Sequence, residues 1–99
     1  MAFRVTVAPE AVEDLRRLTA DQRARVRAGL ERHLRYGPTA VGKSRVKRLR
    51  KLTQPQYRLR IDEMRVYYNV DLVATEVLVL AILPKPDAEE WLSQVGVSP

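Results

Sequence analysis

Apolar and polar positions alternate at the start of the chain, with Phe3, Val5 and Val7 set against Arg4 and Thr6. A period of two predicts a strand with one buried face. From Pro9 the spacing lengthens. Ala11, Leu15 and Leu18 share one face of a helix. This helix opens on Pro9, where proline suits the first turn, and holds Glu10, Glu13 and Asp14 near the positive end of its dipole. Thr19 to Gln22 has the spacing of a capping box, and the second helix then carries Val26, Leu30 and Leu34 at intervals of four. Gly37-Pro38 ends it, so the two helices form a hairpin.

Residues 39 to 56 fit neither period and read as an extended, mostly exposed connection, with a turn at 54 to 56. Alternation returns at Tyr57, Leu59 and Ile61, and again at Met64, Val66, Tyr68 and Val70. If Asp62-Glu63 is a two-residue turn, Ile61 faces Met64, Leu59 faces Val66 and Tyr57 faces Tyr68. On the other side Arg60 then faces Arg65, and Arg58 faces Tyr67. Residues 71 to 76 turn into "TEVLVLAIL", apolar on both faces as a central strand is. Pro84 and Pro86 stop that strand. A short last helix follows, with Asp87 as cap and Trp91, Leu92 and Val95 as its apolar residues. The predicted fold class is α+β: one domain over residues 1–99, in the order strand, helix, helix, three strands and a terminal helix. Its sheet is mostly antiparallel, with helices on one face.

Charge changes the picture. The net charge is +6 over 99 residues, and residues 43 to 65 hold nine Lys or Arg against two acids. The whole excess therefore sits in one segment, the footprint of an anionic partner. Lys43, Arg45, Lys47, Arg48, Arg50 and Lys51 precede the hairpin; Arg58, Arg60 and Arg65 lie on its polar side. One reading is a solvated face, the usual place for charge. The other is a phosphate clamp: guanidinium groups match phosphate oxygens with paired donors, and Tyr67 adds a ring on which a base can stack. Such a face binds single-stranded nucleic acid and stabilises charge on phosphorus.

Other chemistry is thinly supplied. Cysteine is absent and His33 is single, so neither disulfides nor a thiolate or histidine metal site is expected, and no cofactor is implied. His33 sits beside the apolar stripe without other chemistry near it and reads as structural or solvent-exposed. Trp91 reads as a packing anchor before a base platform. Glu89 and Glu90 are adjacent, so a helix points them apart. No membrane-spanning run and no secretory signal pattern occur at the start, and a cytoplasmic protein is expected.

The segment "YRLRIDEMRVYYNV" followed by "VLVLAI", with "A..DL..L" in the first helix and "K.L" near residue 51, resembles the RelE/ParE superfamily of bacterial toxin–antitoxin toxins. The resemblance spans nearly the whole chain. It implies a metal-independent endoribonuclease (an mRNA interferase) that cuts messenger RNA, usually on the ribosome, by attack of the ribose 2′-hydroxyl on the adjacent phosphorus. The catalytic positions it implies fall on Arg58, Arg60 and Arg65, then on Lys85 where the family has arginine and Trp91 where it has tyrosine. It also implies an acidic antitoxin partner and a toxin–antitoxin hetero-oligomer. The ParE branch, which poisons DNA gyrase without ribonuclease chemistry, and a degenerate toxin that only binds its antitoxin are the competing readings.

Overall fold

The computed structural model describes residues 2–42 and 45–98. Strand β1 (Arg4–Val7) leads into helix α1 (Pro9–Arg16). Helix α2 (Ala20–Gly29) runs on into a π-helical turn at Leu30–Leu34. Strands β2 (Val46–Arg48), β3 (Tyr57–Ile61), β4 (Met64–Asp71) and β5 (Glu76–Pro84) follow, and helix α3 (Lys85–Val95) closes the chain. They form one sheet in the order β1-β5-β4-β3-β2, parallel only where β1 meets β5. The α+β class and mostly antiparallel sheet agree with the alternation in the sequence.

The expected hairpin register is the observed one, with Ile61 opposite Met64, Leu59 opposite Val66, Tyr57 opposite Tyr68, Arg60 opposite Arg65 and Arg58 opposite Tyr67. Asp62 takes φ 52°, the left-handed conformation that a tight turn between two strands requires and that aspartate tolerates. The capping box also forms: Thr19 N donates to Gln22 Oε1 (3.0 Å) and Gln22 N to Thr19 Oγ1 (3.1 Å). Asp14 has a use beyond helix charge. Strand β1 stops at Val7 opposite Val79, and the next outward N–H of β5, on Ile82, donates to Asp14 Oδ2 at 2.9 Å.

The main core lies between the sheet and the α1–α2 hairpin. It gathers Ala11, Leu15, Val26 and Leu34 against Leu59, Val66, Tyr68, Val77, Val79 and Ile82. Tyr68 is stacked on Tyr57 (5.4 Å between centroids) and donates to Pro38 O at 2.6 Å, which satisfies its buried hydroxyl. Burial pushes that phenol well above its ordinary pKa, with Tyr57 adding to the shift.

Three expectations need correction. First, the segment read as an exposed connection contains β2, an edge strand whose Val46 is buried against the core. Second, α3 starts at Lys85 rather than after Asp87. Pro84 holds the cap position and Pro86 sits in the first turn, where its missing N–H has no intrahelical partner to lose. Asp87 makes no capping bond. Third, the helices do not share one face. Helix α3 packs on the opposite side of the sheet, with Ala88, Trp91 and Leu92 over Tyr67, Ala81, Leu83 and Leu49.

A bulge permits this second cluster. Tyr67 pairs with Ala81 and Tyr68 with Val79, so Leu80 is an extra residue. One extra residue reverses which side chains face which side. Val77 and Val79 point into the main core before the bulge and Ile82 does after it, leaving Ala81 and Leu83 for α3. Beyond α3, Val97 N donates to Gln54 O and Thr53 N to Val97 O, both at 2.8 Å, tying the tail to the loop before β3. Among the described residues no helix is long and apolar enough to cross a membrane.

Candidate nucleic-acid interface

The β3–β4 turn and the start of α3 meet because Lys85 N donates to Glu63 O at 2.8 Å. Between them opens a cleft of about 460 Å³ lined by Arg45, Arg60, Asp62, Glu63, Arg65 and Lys85. Arg45 reaches the cleft because its carbonyl accepts from Arg60 N at 2.8 Å, which continues the β2–β3 ladder one residue beyond β2. Four cations thus face two carboxylates. Asp62 is engaged by Arg25 at 3.3 Å, on the rim. Among the described residues, Arg60, Arg65, Lys85 and Glu63 form no ion pair.

The three hairpin arginines have different environments. Arg60 is exposed. Arg65 is buried, with 8% of its surface accessible, and its guanidinium donates to Asp62 O and Met64 O, each at 3.1 Å. It braces the turn as well as lining the cleft, which corrects the expectation of three equivalent solvent-facing side chains. Arg58 lies half-buried in a row with Lys47 on β2 and Tyr67 on β4. Burial and the neighbouring charges of Arg65 and Arg60 lower its pKa, with Tyr67 opposing, and its buried Nε has no hydrogen-bond partner. A buried donor without an acceptor costs stability.

Tyr67 is not the open platform expected for a base. It is 2% exposed and lies under Trp91, with ring centroids 5.0 Å apart and planes 25° from parallel. Burial raises its phenol pKa, partly offset by Arg58 and Arg65. Trp91 packs as an anchor of α3, as its residue type suggested. Of the remaining basic positions, Lys47, Arg48, Arg50 and Lys51 surround a second pocket at the far end of β2. Lys43 lies outside the described residues.

Two residues that line or brace the cleft carried no sequence signal. Glu63 read only as half of a turn, and its place in the cleft depends on α3 closing over that turn. His33 Nε2 lies 2.9 Å from Arg45 Nη1. Arginine can only donate, so the imidazole accepts and is neutral. Burial first, then Arg45 and Arg32, lower the His33 pKa, which favours the same form. His33 thus steadies a cleft arginine. The contact joins the π-helical turn to the residue before β2, and no local pattern announces it. Among the described residues no three His, Asp or Glu groups cluster as a metal site.

No protein-family model matches the chain, and no curated protein matches it by sequence. Solved structures do match by fold. A RelBE toxin–antitoxin complex from Mycobacterium tuberculosis superposes with TM-score 0.71 at 22% identity, over 85% of this chain and 99% of that one. An archaeal RelE–RelB complex from Pyrococcus horikoshii gives 0.62 at 22% identity, over 86% and 97%. The isolated RelE toxin of E. coli gives 0.54 at 16% identity, over 95% and 99%. The chain therefore has the fold of the RelE toxins.

Proposed function

We propose that this chain is the toxin of a toxin–antitoxin module and a RelE-like endoribonuclease that cleaves messenger RNA at the ribosome. The observation that carries the reading is the cleft, where Arg60, Arg65 and Lys85 converge beside the N-terminus of α3 without ion-pair partners among the described residues. Cations and a helix N-terminus both stabilise charge on a transferring phosphoryl group. The RelE likeness supports the toxin role, and the antitoxin complexes among the matched structures support an acidic antitoxin as partner in a hetero-oligomer.

The chemistry follows from the groups available. The ribose 2′-hydroxyl attacks the adjacent phosphorus, the bond to the departing 5′-oxygen breaks, and a cyclic phosphate remains. Arginine stays protonated and cannot take the hydroxyl proton. Asp62 is held by Arg25, so Glu63 accepts that proton. Lys85 gives one to the departing oxygen. Arg60 and Arg65 hold the non-bridging oxygens, and Arg58, on the same face of the sheet, adds positive charge beside them. Trp91 acts by holding α3, and with it Lys85, in place.

The test is cleavage of a single-stranded RNA by the purified chain, alone and with ribosomes, with product ends read by mass spectrometry. Cyclic phosphate ends are expected. Glu63→Gln should slow cleavage about a hundredfold, the lower part of the range for a lost general base, with RNA affinity kept. Removing Arg60 or Lys85 should cost about as much. Intact RNA together with gyrase-dependent DNA cleavage would transfer the chain to the ParE reading. A chain that binds an acidic antitoxin but affects neither would be a degenerate toxin.

A further inference from the structure

Strand β2 leaves one edge of the sheet open. Arg60 N donates to Arg45 O and Leu49 N to Gln56 O, both at 2.8 Å, so the backbone groups of Arg45, Lys47 and Leu49 turn inward to β3. In an antiparallel ladder those of Val46 and Arg48 then turn outward. Gly42 N donates to Val46 O at 3.1 Å, so the chain before β2 covers that rung. The next rung is bare: among the described residues the N–H and C=O of Arg48 have no protein partner. Beside it lies the pocket of about 520 Å³, lined by Val41 and the unbroken run from Lys47 to Leu52. Successive strand side chains point to opposite faces. A cavity that touches Lys47, Arg48 and Leu49 alike therefore lies along the edge rather than on either face. Val41, Leu49 and Leu52 give it an aliphatic wall, with Val41 61% exposed. Lys47, Arg50 and Lys51 stand exposed around it, and no acidic residue lines it.

We propose that β2 is the docking edge for an extended acidic segment of a partner protein, which pairs with Arg48 as a sixth strand and sets one apolar side chain in the pocket. The inference rests on the acidic-partner part of the function proposed above and gives that partner a place to bind. Strand addition draws affinity from main-chain bonds and specificity from pockets for alternate side chains. Carboxylates next to the seated side chain meet Lys47, Arg50 and Lys51. Lysines along an edge ordinarily keep other strands away. That protection needs no aliphatic cavity, and it admits a strand that carries acids. Two other occupants are disfavoured. The RNA backbone has no N–H to complete the rung. A second copy of β2 would bring Lys47 and Arg48 against the same cations.

The experiment uses the full chain and a seven-residue peptide, blocked at both ends, with a central leucine and glutamate or aspartate elsewhere. Binding should slow hydrogen exchange of the Arg48 amide about tenfold and leave that of Leu49, already bonded to Gln56 O, unchanged. Replacing the peptide leucine by serine should cost about tenfold in affinity. An N-methyl group moved along the peptide backbone should cost about as much at the residue paired with Arg48. Val41→Asp and Lys51→Glu, both at exposed positions that leave the fold intact, should weaken binding to a similar degree. Equal affinity for the leucine and serine peptides, with the Arg48 amide unprotected, would reduce the contact to charge and overturn the edge site. So would protection of Arg48 by single-stranded RNA but not by the peptide. An acidic antitoxin that forms a complex with Arg48 still unprotected would overturn the edge site and leave the toxin–antitoxin reading standing. Peptide binding at Arg48 by a chain that takes no antitoxin would sink that reading and keep the edge site.

Discussion

Replacing each hairpin arginine by alanine separates bracing from binding. Arg65 makes two charge-assisted bonds to turn carbonyls from an 8% exposed position. Each is worth roughly 1–1.5 kcal/mol net. Against this, Arg65 lies directly opposite Arg60, and relief of that repulsion returns about 0.2–1 kcal/mol. Arg65→Ala should therefore destabilise the fold by about 2 kcal/mol, a melting temperature lower by roughly 10 °C in a domain of this size. Arg60→Ala removes an exposed side chain without internal bonds and should stay within about 0.5 kcal/mol of wild type. Both bonds come from the single nitrogen Nη1, so Arg65→Lys, which also carries several donors on one nitrogen, should recover part of the loss.

Urea and thermal unfolding give the stabilities; RNA affinity at two salt concentrations, below every melting transition, gives the binding. Arg60→Ala should lower the slope of log affinity against log salt by about one unit while leaving stability alone. Equal stability of Arg65→Ala and Arg60→Ala would refute the bracing role of Arg65. Loss of stability on removing Arg60 would refute the division altogether.

Two further outcomes are expected. Trp91→Ala should cost about 2 kcal/mol through lost burial and stacking, and ultraviolet titration should show the Tyr67 phenol returning toward its ordinary pKa; Trp91→Phe should keep most of both. An unchanged Tyr67 titration in Trp91→Ala would rule out the stack. The folded-state pKa of His33 is lowered, so its neutral form contributes stability that is present above the unfolded value near 6.5 and lost as pH falls through the folded value. His33→Gln should flatten that acid-side slope in a pH series of unfolding curves; an unchanged slope would deny His33 any part in it.

Period-two and period-four patterns made β1, α1, α2, β3, β4 and their register legible, because one face of each is buried in the main core. Strand β2 was hidden by its length: with only Val46 buried in a three-residue edge strand, alternation has nothing to repeat. Side-chain parity also hid the place of α3. A single extra residue, Leu80, redirects Ala81 and Leu83, and Tyr67 then becomes a core residue rather than a platform. The site was half legible. A charge count located Arg58, Arg60 and Arg65 but could not rank them, since burial of Arg65 depends on carbonyls that only the folded turn presents. Glu63 and His33 depend on contacts between elements far apart in the chain.

The energetics of the second face point the same way as its charge. Lys47 opposes Arg58, and Arg60 opposes Arg65, so two like-charged pairs stand in cross-strand register. Each such pair works against the sheet. The buried Nε of Arg58 adds a donor without an acceptor. Apart from the bonds by which Arg65 braces the turn, these features do not help the free chain fold, and at Lys47, Arg58 and Arg60 neutral residues of strand propensity would serve the sheet better. Local conflict with an otherwise consistent pattern is where function is expected. The repulsion within both pairs would fall if one polyanion lay along the row, its phosphates neutralising the facing cations. A ligand that binds only the folded state stabilises it by mass action, so the unfavourable terms of the free protein reappear as affinity for the anion. The same reasoning explains why an acidic antitoxin would suit this face, since it relieves the same repulsions while denying the row to RNA.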